Sequence, residues 1–140
     1  MTNIRRLITN PRRGRAVICN GMIFLGGQVA DDRSQDIEGQ TEQITAKIDA
    51  LLAKCGSDKS HLLSAQIWLN NYVRDFAGMN RVWDAWIDPA SAPARATCQA
   101  DMGAPEVLIE IVIVATTISH SDENEKENEI PSISTGRARV

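Results

Sequence analysis

The stretch VLIEIVIVA, residues 107–115, carries eight apolar side chains and a single acid, Glu110. A β-branched, unbroken apolar run of this kind reads as a strand, and apolar neighbours on both of its faces place it at the centre of a sheet, largely buried. The strand is predicted over residues 107–118. An ionised carboxylate in such a place costs on the order of several kcal/mol unless it is paired or hydrogen-bonded. Glu110 is therefore a candidate functional group or a member of an ion pair. The preceding strand, residues 94–100, alternates Arg95, Thr97 and Gln99 on one face with Ala96, Cys98 and Ala100 on the other. Arg95 follows Pro93 and Ala94 at the mouth of that strand and is the natural partner for Glu110. A guanidinium there can grip a small carboxylate with two parallel hydrogen bonds. The two residues together predict a small site for a carboxylate-bearing molecule.

Working outward, residues 16–19 and 22–25 are apolar runs on either side of Asn20-Gly21. Both turn residues accept the positive φ of a type I′ turn, so a hairpin is predicted. Gly26-Gly27-Gln28 ends its second strand. Ile44, Ile48, Leu51, Leu52 and Cys55 recur at helical spacing, with Gly56 where a cap glycine belongs. Residues 62–69 read as a strand. A second helix spans about residues 74–87, its core stripe being Phe76, Met79, Trp83, Trp86 and Ile87. Pro89 and Pro93 mark a loop, and residues 102–106 a Gly/Pro turn. Five strands and two helices in this order indicate an α+β fold with both helices on one face of a mixed sheet. The other face then needs a cover, and another subunit is the ready one.

The 140 residues form one domain's worth of chain, with 43% hydrophobic and 24% charged side chains. A formal net charge of -3 argues against nucleic acid or a membrane surface as partner. No apolar run approaches the roughly 18 residues of a membrane span, and arginines occupy the N-terminal stretch where a signal peptide would be apolar, which predicts a cytoplasmic protein. Five arginines and no acids lie in the first fifteen residues, a pattern read as a solvated edge or as anion contacts at an interface. Cys19, Cys55 and Cys98 are too widely spaced for a zinc site or a disulfide framework and are expected to be buried thiols. His61 and His120 stand alone, so an imidazole metal centre or a Ser-His-Asp triad is not expected. If the chain is an enzyme, its chemistry must come from arginine, carboxylates, hydroxyls and backbone. Composition shifts near Ser119: residues 119–140 hold five acids, three bases and few apolar side chains. Residues 1–118 are read as the folded domain and residues 119–140 as an acidic mobile tail.

Three blocks of the chain resemble the RidA (YjgF/perchloric-acid-soluble protein) family. They are PARATCQADMGAPEVLIEIVIVA at residues 93–115, GMIFLGGQVADD at residues 21–32 and DFAGMNRVWDAW at residues 75–86. The most specific feature is an arginine after Pro-Ala followed fifteen residues later by a glutamate within Ile-Glu-Ile. The resemblance implies a chorismate-mutase-like fold, one mixed six-stranded sheet with two helices on one face, in a homotrimer with sites between subunits. It implies hydrolysis of small reactive enamines and imines, such as 2-aminoacrylate and 2-imino acids, to 2-keto acids and ammonia, with no metal or organic cofactor. Arg95 matches the family's carboxylate-binding arginine, Glu110 the glutamate that positions or activates water, and Asn80 a cleft asparagine. Three substrate-binding positions depart from the pattern. Arg13 stands for a tyrosine, Gly26 for a serine and Thr97 for a cysteine, which implies a divergent branch whose substrate is larger or more anionic. The alternatives are a non-catalytic trimeric module binding small carboxylates such as 2-keto acids, and an endoribonuclease or translation inhibitor. The binding module would retain Arg95 without needing Glu110.

Overall fold

A computed structural model describes residues 3–118. The tail predicted for residues 119–140 lies outside the described residues. Six strands form one sheet in the order β1-β2-β3-β6-β4-β5: β1 (Ile4–Thr9), β2 (Gly14–Cys19), β3 (Met22–Leu25), β4 (Leu62–Leu69), β5 (Ala94–Gln99) and β6 (Ile109–Thr116). Two helices, α1 (Ile37–Lys54) and α2 (Tyr72–Trp86), complete it. All neighbouring strands are antiparallel except β4 and β5. Parallel neighbours need a crossover, and α2 is that crossover.

Local chemistry sets each boundary. Asn20 and Gly21 have φ of 51° and 73°, which closes the β2–β3 hairpin as its Asn-Gly pair requires. The Asp36 carboxylate accepts from the Gly39 N–H at the start of α1, and the Asn71 side chain caps α2 through the Arg74 N–H. Gly56, at φ 72°, ends α1. The run around Glu110 is the central strand β6, between β3 and β4. Its residues alternate buried and half-buried, so it has one covered face. The covered face presents Ile109, Ile111 and Ile113, which with Ile23 and Ile67 meet Ile44, Ile48, Leu52 and Met79 of the helices; all nine are fully buried.

The sequence reading missed β1. Its six residues include Arg5 and Arg6 and are mostly exposed, so the apolar alternation that marks a strand is absent. Among the described residues it is an edge strand paired with β2 alone, where charged side chains are the usual occupants. The thiol expectation holds for Cys55, which is buried; Cys19 is half-buried and Cys98 exposed, because both lie on the helix-free side.

That helix-free side carries Val17, Phe24 and Val114 in adjacent register, with Trp68 and Val112 nearby. Phe24 is 44% exposed and Met22 36%. Among the described residues no helix is long and apolar enough to cross a membrane. The interior side of the sheet predicts that Ile111→Ala lowers the free energy of unfolding by about 2–5 kcal/mol, the cost of a cavity in a packed core. Urea denaturation measures it, and a loss below about 1 kcal/mol would contradict the placement of Ile111 in the core.

Candidate functional site

Six residues were expected to share one site. The structure gathers them into two groups. Arg95 pairs in register with Ala65 of β4 and therefore points to the helix side, beside α2. Its Nη1 donates to Asn80 Oδ1 at 2.9 Å, and its guanidinium stands 5.3 Å over the Trp83 ring. One bond from the head group to a neutral amide leaves most of its five N–H donors available to a ligand. Stacking on an indole holds the fork flat while keeping its charge. Thr97 lies on the same face two residues on, and its Oγ1 is buried without a hydrogen-bond partner among the described residues. A cavity of about 400 Å³ lies against Arg95, Trp83, Ile87 and Pro93. Trp83, expected only as core, thus also supports the guanidinium.

Glu110 belongs to the other group. It pairs with Trp68, three residues beyond Ala65 on the same strand. Side chains alternate along a strand, so positions three apart face opposite ways. Arg95 and Glu110 consequently lie on opposite faces of the sheet, and the expected ion pair between them does not form within one chain. Alternation along each strand separately does not fix this, because the relative facing of β5 and β6 is set by how both register on β4. Glu110 is also half-buried rather than largely buried, since its face has no helix layer.

The segment after β3 is pressed against Glu110. Gln28 exchanges two backbone hydrogen bonds with Ile111, at 2.9 and 3.1 Å. Gly27 is then so close that a Cβ there would stand 2.6 Å from Glu110 Oε1, which accounts for a glycine at this position. Gly26 donates its N–H to the Arg15 carbonyl at 2.9 Å, tying the segment to β2. Met102 and Gly103 flank Glu110, with Val29 and Arg33 to one side and Trp68 and Asp101 to the other. Arg13, exposed, lines an adjoining cavity with Gly27. Glu110, Gly26 and Arg13 therefore form the second group. The sequence reading missed Arg15, Arg33 and Lys47 beside Arg13. Arg15 was visible in the basic run, but nothing local connects Arg33 or Lys47 to it.

Gln40 holds this second region together. Fully buried near the start of α1, its Nε2 lies 3.0–3.2 Å from the carbonyls of Arg33, Gln35 and Glu106. Its Oε1 accepts from the Leu108 N–H at 3.1 Å. One side chain thereby joins the Arg33 loop to the entry of β6, two residues before Glu110.

The chain matches the family described as Endoribonuclease L-PSP over residues 9–117. It is 41% identical over 117 residues to a RutC family protein of Haemophilus ducreyi, covering 84% of this chain and 98% of that one. It is likewise 41% identical over 112 residues to the RutC family protein YoaB of Escherichia coli, covering 80% and 96%. A solved member of the YjgF protein family from Neisseria meningitidis superposes with a TM-score of 0.80 at 44% identity, covering 84% of this chain and 97% of that one.

Removing the Gln40 amide takes the partner from four backbone groups in part-buried hydrogen bonds, and a buried group left unsatisfied costs about 1–3 kcal/mol. Gln40→Leu should therefore lower the unfolding free energy by at least about 2 kcal/mol in urea titration. A change within about 0.5 kcal/mol would show that Gln40 does not hold the Arg33 loop to β6.

Proposed function

The chain belongs to the Endoribonuclease L-PSP family, the RidA/YjgF/RutC group with its chorismate-mutase-like fold, and from that premise we propose that it hydrolyses small 2-imino acids, and the enamines that tautomerise to them, in the cytoplasm. The observation that carries this reading is the division of the candidate residues. A stacked, donor-rich Arg95 with Asn80 and the unpartnered Thr97 hydroxyl lies on one side of the sheet. Glu110, backed by Gly27, lies on the other. Neither group can complete a site alone, and the exposed apolar side chains around Phe24 supply a surface on which chains associate. In a homotrimer, Arg95, Asn80 and Thr97 of one copy face Glu110, Gly26 and Arg13 of the next.

The reaction then divides between the groups. Arg95 takes the substrate carboxylate in a two-pronged grip and fixes the C=N carbon in position. Thr97 and Asn80 border the same ligand. An enamine first takes a proton at its β-carbon and gives one up from its nitrogen, becoming the imine. Glu110 accepts a proton from water as the water oxygen bonds to the imine carbon, and passes that proton to the nitrogen. The O–H proton of the resulting carbinolamine passes by way of Glu110 to the nitrogen, the C–N bond breaks, and ammonia leaves as the carbonyl forms. Imine plus water thus gives keto acid plus ammonia. An imine is electrophilic already, so orientation and one proton-transfer group suffice; general base catalysis supplies about 10²- to 10⁴-fold.

A coupled assay tests this. An amino-acid oxidase or a pyridoxal-dependent lyase generates the imine, and keto-acid release is followed with and without the protein. Glu110→Gln should lower the rate by about 10² or more with affinity for a 2-keto acid little changed, as expected for a lost base. Arg95→Lys should lose most of the activity, because an ammonium cannot reproduce the two-pronged contact. Full activity in either variant would remove that residue from the mechanism. Ligand binding with no hydrolysis by the unaltered protein would favour a binding module.

A further inference from the structure

The cavity beside the Glu110 group, about 310 Å³, is lined by Arg13, Arg15, Arg33 and Lys47, with Asp31 as the acid in its wall. Lys47 is already engaged. Its Nζ donates to Asp31 Oδ1 at 2.6 Å and to the Val29 carbonyl at 2.8 Å. The bond and charge of Lys47 hold the Asp31 carboxyl below its usual range, with Arg15 and Arg33 adding to the effect. Lys47 and Asp31 thus cancel, and three guanidinium groups remain around one space. Among the described residues, neither Arg13 nor Arg15 has an acidic partner within 4 Å. Arg33 has only Glu106 at 3.8 Å, with both side chains well exposed. Like charges gathered around a concave surface repel each other and focus a positive potential into it, an arrangement suited to an anion.

This cavity is not separate from the Glu110 region. Gly27 lines it and also backs onto the Glu110 carboxylate. Val29 and Arg33 line both this cavity and the one against Glu110. An anion among the arginines is therefore within reach of the same small molecule whose reacting carbon lies at Glu110. The substrate's own carboxylate is assigned to Arg95, on the neighbouring copy, so the basic cavity is left for a different group.

We propose that Arg13, Arg15 and Arg33 form a subsite for a second anionic group at the far end of the substrate. The preferred imines are then those of amino acids whose side chains end in a carboxylate or a phosphoryl group. This inference rests on the imine-hydrolysis reading for the placement of the first carboxylate.

The test compares three 2-keto acids that share one end and differ at the other: 2-oxobutyrate with no terminal charge, 2-oxoglutarate with a carboxylate, and 3-phosphohydroxypyruvate with a phosphoryl group. Calorimetric titration of the full chain at low salt should show at least one of the two charged acids binding about tenfold or more tighter than 2-oxobutyrate, the scale of a charged hydrogen bond. The tighter of the two identifies the terminal group. Arg15→Gln and Arg33→Gln should each reduce that preference several-fold, while circular dichroism reports an unchanged fold. Equal affinity for all three acids, or a preference that survives in both variants, would overturn the subsite. Hydrolysis assays on imines of alanine and glutamate separate the two readings. Turnover without any preference sinks the subsite alone, and a binding preference without turnover of either imine sinks the catalytic reading alone.

Discussion

Strand β4 decides which side chains of this protein can meet. It pairs in parallel with β5 and antiparallel with β6, so a single backbone sets the facing of both candidate strands. Ala65 stands beside Arg95 and Trp68 beside Glu110. An offset of three residues on a structure of period two sends them to opposite faces. Sliding either strand by one residue would bring the two onto one face. Sliding β6 would also turn Ile109, Ile111 and Ile113 away from the helices, and sliding β5 would turn Arg95 and Thr97 away from α2. The buried isoleucines therefore enforce the separation of the two charged groups. The helices follow from the same constraint, because α2 is the crossover that a parallel β4–β5 pair demands and it carries Asn80 and Trp83 to Arg95.

Much of this was legible in the residues. The Asn-Gly hairpin, the extent of β4, Gly56 as a cap and the central position of β6 all follow from local chemistry that tertiary structure did not override. Strand β1 was not legible, since an edge strand bearing arginines shows no apolar alternation. The grouping of Arg95 with Asn80 and Thr97 rested on the resemblance and on the alternation of β5. The failure of the Arg95–Glu110 pair was beyond local reading, because relative facing depends on a register shared through a third strand. Arg33 and Lys47 were invisible for the same kind of reason: they come from a loop and from α1, and the Gln40 hydrogen bonds, formed across the fold, bring that loop to the entry of β6.

The helix-free face and the divided site are two consequences of one architecture. With both helices on one side, the apolar side chains around Phe24 and Val114 remain outside the single-chain core. The Glu110 group lies on that same face, whereas the Arg95 group lies at the β5 edge under α2. Under the proposed homotrimer, association that covers the face would bring chain edges together and set the carboxylate held by Arg95 within one ligand's length of Glu110. The basic cavity sits at the margin of this region, where its charges act on what enters.

The central claim is that each site takes Arg95 from one copy and Glu110 from another. The direct measurement is complementation: Arg95→Ala and Glu110→Gln, each inactive alone, are unfolded together, refolded and assayed for imine hydrolysis. A site with both native residues then arises whenever a Glu110→Gln chain supplies Arg95 to a neighbour bearing Arg95→Ala. Random assembly in equal amounts should recover about a quarter of the unaltered activity, one half for each required neighbour. No recovery in mixed oligomers shown by mass to contain both chains would mean that the two residues act from the same copy, and would contradict the account.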